Sequence, residues 1–127
     1  VSYADDISFT LMTPQGHPES GWVSFRAFNE SGNTVCQIQG LARANDPIYE
    51  IAFRLHGSKF QEQTWVHVME SLAKHLGVQS PVKMTRKCID TGLQWSEVGN
   101  IRHNAQVWTL VYLALWPVRR LARMFRR

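Results

Sequence analysis

Five residues, NESGN at 29–33, constrain this chain more than any others. They stand between WVSFRAF (22–28) and TVCQIQGLAR (34–43), two runs rich in aromatic and β-branched side chains. So short a connection between two extended runs closes an antiparallel hairpin, because a parallel pair needs a crossover of a dozen residues or more. In the second run Cys36, Ile38, Gly40 and Ala42 fall on one face, while Gln37, Gln39 and Arg43 fall on the other. Upstream, ISFTLM (7–12) alternates in the same way, with Ile7, Phe9 and Leu11 on one side. The intervening TPQGHPESG holds Pro14, Gly16, Pro18 and Gly21, which punctuate a loop. The expectation is a meander of three strands with one covered face and one wet face.

A helix is expected next. Asp46 is a good N-cap, and Pro47 suits the first helical position, where its missing N–H costs nothing. Ile48, Ile51, Ala52 and Leu55 recur at helical spacing. Gly57 predicts a break or kink, and Ser58 with Gln61 reads as a second capping box. Trp65, Val68, Met69, Leu72 and Leu76 form the next apolar stripe, which Gly77 closes. After Pro81, VKMTRKCID (82–90) has weak strand character. From Ser96 a last helix is expected to run to the end, interrupted only by Gly99 and Pro117. The fold class is α+β: an antiparallel sheet of about three strands on a long, kinked helix, with a second C-terminal helix.

GHPESGWVSFRAF, followed by TVCQIQGLARANDPIYEIAFRLHGSKFQEQTWVHVMESLAKHLGV, resembles the C-terminal half of bacterial SRPBCC (START-like, helix-grip) proteins. The resemblance covers about residues 7–78, and CIDTGLQWSEVGNIRHN extends it to about 104. It implies a partial helix-grip domain over 1–78, with 79–127 as connector and C-terminal helix. A complete domain of that kind has an N-terminal strand, two small helices and further strands ahead of this point, so the chain is expected to be a portion. The resemblance further implies a pocket between sheet and helix for an apolar small molecule or lipid. Its lining would be Phe9, Leu11, Val23, Phe25, Ile38 and Gly40 from the sheet, with Trp65 and Met69 from the helix. Two readings of that interface stand open, pocket and solid core. A one-residue slip of register would bring Arg26, Gln37 and Gln39 inward instead.

Charge divides the chain. Of 14 Lys and Arg, five (Arg119, Arg120, Arg123, Arg126 and Arg127) lie in the last nine residues, so residues 1–118 hold nine against ten acidic groups. A nearly neutral body does not fit nucleic-acid binding, where charge covers a face of the fold. Residues 105–118 (AQVWTLVYLALWPV) are apolar nearly all round, yet span only about 20 Å against the ~30 Å of a bilayer core. On a helix the five arginines share an arc about 120° wide. Trp108, Tyr112 and Trp116 recur every four residues on one side. Together these residues predict contact with an anionic membrane surface or a partner groove.

Chemistry finds little footing. His67 and Glu70 form H-x-x-E, but Ser71 stands where a second zinc ligand is required. His67 and His75 lie about two helical turns apart, and His17, His56 and His103 have no partner in sequence. No metal, cofactor or catalytic residue is therefore assigned. Cys36 and Cys88 read as reduced thiols of a cytoplasmic protein. The cluster Trp95, Glu97, Asn100, Arg102, His103 and Asn104 reads first as a capped helix start, with Trp95 packed on the body, and second as a lip over the pocket. The expected function is non-enzymatic binding, peripheral at the inner membrane face. The alternatives are part of a cyclase- or dehydratase-type enzyme and a helix-docking interaction module. An ionisable side chain in the pocket would favour the enzyme, and no Asp or Glu in 7–45 is placed there with certainty by the sequence.

Overall fold

The computed structural model describes residues 1–124, of which 121–124 are described by their helical backbone alone. Four strands form one antiparallel sheet in the order β1-β2-β3-β4: β1 (Tyr3–Ala4), β2 (Ser8–Met12), β3 (Glu19–Glu30) and β4 (Asn33–Ala44). The meander is the expected one with a two-residue strand added. The added turn is held by Asp5, whose Oδ1 accepts from the Ile7 and Ser8 amides at 3.0 and 2.7 Å. The bond from the Tyr3 hydroxyl, with those amides, draws the Asp5 carboxyl down to about 2.

The long hairpin outruns both expected strands. Glu19, Ser20 and Gly21 join the ladder opposite Ala44, Arg43 and Ala42. A Cβ at Gly21 would stand 2.1 Å from the Leu41 carbonyl oxygen, so Gly21 is needed for close backbone approach within a strand. At the far end the loop is Ser31-Gly32, with φ of 51° and 82°. Two successive positive φ values give the turn whose twist matches the flanking strands.

The helix starts as expected. The Asp46 side chain accepts from the Tyr49 amide at 2.7 Å, and Pro47 occupies the first turn. It then continues as α1 (Pro47–Ala52), one π-helical stretch (Phe53–Gly57) and α2 (Ser58–His75). The expected break and second capping box do not form, since Gly57 is itself helical at φ −64°, ψ −36°. The helix widens instead: the Ser58 amide donates to Phe53 O, five residues back. A Cβ on Gly57 would lie 2.6 Å from the Phe53 ring, so the glycine makes room for that ring. At the other end Gly77 has φ 69°. Val78 N–H donates to Ala73 O at 3.0 Å and Gly77 N–H to Lys74 O at 3.1 Å, a Schellman close.

Residues 82–90 form no strand. The connector instead meets the body through side chains, with Arg43 paired to Asp90 at 3.3 Å and Arg54 donating to Thr91 O at 3.0 Å. The last helix is also later than expected. Trp95–His103 is a 3-10 helix, and Asn104 turns to extended backbone (φ −71°, ψ 115°) before α3 (Ala105–Met124) begins. The Asn104 Oδ1 accepts from the Gln106 amide at 3.0 Å and so caps α3.

Among the described residues no apolar side chain is fully buried apart from two prolines. The buried positions are Pro18, Asp46, Pro47 and Asn104. They meet in one knot: Asn104 Nδ2 donates to Asp46 Oδ2 at 2.8 Å, Asn45 N–H to Pro18 O at 2.9 Å, and Ala105 N–H to Gly16 O at 2.9 Å. Asn100 Nδ2 adds a bond to Asn45 O at 3.0 Å.

Candidate ligand-binding face

Register decides which side chains share a face. Phe9 pairs with Phe25 and Leu11 with Val23, while Val23 pairs with Gly40 and Phe25 with Ile38. The six sheet residues expected on one face are therefore together on it. Arg26, Gln37 and Gln39 lie on the other, where Arg26 Nε donates to Gln37 Oε1 at 2.6 Å. The rings of Phe9 and Phe25 stack at 4.6 Å, and Trp65 of α2 meets Phe25 edge-on at 6.0 Å. The apolar face thus looks toward α2. Met69, one turn beyond Trp65, is half-buried as Trp65 is.

The face is only partly covered. Phe9 is 42% and Leu11 36% exposed, and Gly40 is exposed as well. A Cβ built on Gly40 would have as its nearest neighbours the sheet's own Trp22 O at 3.2 Å and Val23 Cβ at 3.8 Å. Open hollows of about 530 and 380 Å³ lie at the C-terminal end of α2 and along it, not on the sheet. What the face offers is an open apolar trough.

One end of the trough is polar, and the sequence reading missed it. Glu19 shares the parity of Gly21, Val23 and Phe25, so it belongs to the apolar face. Its Oε1 accepts from the Tyr49 hydroxyl at 3.3 Å and its Oε2 from Gln61 Nε2 at 3.0 Å. Gln61 is thus drawn to the sheet rather than to a capping box with Ser58. Burial, and then the Glu19 charge, push the Tyr49 phenol up to about 12. The signal was available in the alternation itself, had the strand been started at Glu19 instead of Trp22.

The cluster around Asn100 and Asn104 serves the backbone and the knot. Asn100 donates to Asn45, Arg102 Nε to Gly99 O at 3.2 Å, and Trp108 Nε1 to Arg102 O. Trp95, expected to pack on the body, is 59% exposed. Among the described residues no three His, Cys, Asp or Glu side chains gather as a metal site.

Of the residues expected to touch a membrane or partner, Trp108, Tyr112 and Trp116 are exposed on α3, as are Arg119 and Arg120. Arg119 lies over the Tyr112 ring at 5.0 Å and Arg120 over Trp116 at 5.3 Å. Arg123 is described by its backbone alone, and Arg126 and Arg127 lie outside the described residues. No helix among the described residues is long and apolar enough to cross a membrane. Compared with known proteins, the chain matches no family model, no curated protein and no solved structure.

Proposed function

We propose that the chain is a non-enzymatic binding module that holds an apolar small molecule or lipid against the trough between its sheet and α2. The observation that carries this reading is the half-open aromatic stack of Phe9 on Phe25 beneath Trp65. Large apolar side chains left accessible beside a helix favour apolar ligands, whose transfer from water contributes about 25 cal/mol per Å² covered. The resemblance to START-like proteins supports the same reading. A cytoplasmic setting goes with it, since Cys36 and Cys88 are free thiols.

The test uses a fluorescent apolar probe, N-phenyl-1-naphthylamine, displaced by a long-chain fatty acid. Phe9→Asp should abolish saturable binding, and Gln37→Asp, on the opposite face, should leave it intact. Equal losses from both faces would refute the assignment. The enzymatic alternative draws on one observation, the ionisable Glu19 at the end of the trough. With both oxygens engaged by Tyr49 and Gln61, this carboxylate is better placed to fix the helix on the sheet than to exchange protons.

A further inference from the structure

α3 has two unlike faces, and their arrangement points to one occupant. Val107, Leu110, Val111, Ala114 and Val118 share an arc about 100° wide with no polar side chain in it. On the opposite side lie Trp108, Tyr112 and Trp116, together with Arg119 and Arg120. The stacking of Arg119 on Tyr112 and of Arg120 on Trp116 holds each guanidinium at the depth of an aromatic ring. In a protein groove the aromatics would be anchors on the buried side. At a lipid headgroup boundary, aromatics and arginines occupy one level while aliphatic side chains sink below it. Charge agrees: after Glu97 the chain has no acidic residue and six arginines. Exposure agrees too, with Leu110 at 67% and Val118 at 63%.

We infer that α3 is an interfacial helix that lies in the surface of an anionic phospholipid bilayer. Val107, Leu110, Val111, Ala114 and Val118 enter the acyl boundary, and Arg119 and Arg120 meet lipid phosphates. The inference stands on α3 alone and is independent of the trough.

The full chain is sedimented with vesicles of phosphatidylcholine, with and without 30% phosphatidylserine, at about 0.1 M salt. Binding should be much tighter to the anionic vesicles. Arg119→Gln with Arg120→Gln should weaken it about thirty-fold, a factor of about five for each arginine near the surface. Circular dichroism of that variant checks that helix content is kept. In a second measurement, the part of the tryptophan emission that Trp116→Phe removes should be quenched more by lipid brominated near the headgroup than by lipid brominated deep in the tails. The same double variant should keep N-phenyl-1-naphthylamine binding, which separates failure of the helix from failure of the trough. Equal binding to both vesicle types would overturn the inference, as would a concentration-dependent oligomer with no vesicle binding.

Discussion

Two regions of this molecule are packed in opposite ways. Around Asp46 and Asn104, 2% and 1% exposed, the chain is sealed by polar side chains and two prolines. Across the sheet face and along α3, where apolar side chains dominate, nothing is sealed. In an ordinary domain the apolar surface is buried and the caps are wet. Here specific hydrogen bonds fix where the helices leave the sheet, while much apolar surface remains available for something else. Burial has been spent on direction, not on a core.

The comparison breaks first at the knot. Asp46→Ala removes the cap of α1 and leaves the buried Asn104 amide without its acceptor. The expected loss is about 3 kcal/mol, roughly 1 for the cap and 2 for the unsatisfied amide. Urea unfolding measures it. In a cycle with Asn104→Ala the two changes should be non-additive by at least about 1 kcal/mol. Additive losses would mean the two caps act separately and the knot is a coincidence of burial.

Phe25→Ala sharpens the other side of the comparison. A fully buried phenylalanine costs about 3–5 kcal/mol to truncate. For a half-covered trough the loss should be nearer 2 kcal/mol, with loss of apolar probe binding. A value of 4 or more would mark the face as solid core and remove the room for a ligand.

The smallest effect lies where the two regions meet, at Tyr49. Its phenol ionises near 10 in the unfolded chain and about 12 in the folded one. Folding therefore holds the neutral phenol, and this contribution is full below pH 10 and lost as pH rises from 10 through 12. Stability should fall over that window, and Tyr49→Phe should flatten the fall. At neutral pH the same change removes the bond to Glu19, at a cost of about 1 kcal/mol. Tyrosinate absorbance should show a late-titrating component in the wild type that the variant loses.

What the sequence disclosed was local. Asp46 with Pro47, Gly77, the Ser31-Gly32 turn and the apolar parity of Phe25 and Ile38 are each decided by a few neighbouring residues, and each is present. The cluster from Trp95 to Asn104 was legible as a capped helix start, but with the helix expected from Ser96 nothing singled out Asn104 as the cap of α3. Its bond to Asp46, 58 residues earlier, left no mark either, because a side chain's choice of distant acceptor does not show in spacing. Glu19 is hidden in the sequence because Gly21 beside it has the composition of a loop, and only the approach of Leu41 explains a glycine there. The π-helical widening depends on where the Phe53 ring needs to lie. Residues 82–90 have strand composition, and composition alone does not supply a ladder partner.

The knot also has an electrical side. Asp46 carries a buried carboxylate, yet the ion pairs among the described residues, Arg43 with Asp90 and Arg54 with Glu50, do not include it. What faces it instead is one neutral donor on each oxygen, the Tyr49 amide at the start of α1 and the Asn104 side-chain amide. The start of a helix also carries a partial positive charge from its N–H groups, which favours an anion at that place. A backbone amide and a side-chain amide thus stand where an arginine or lysine would be the usual partner of a buried carboxylate.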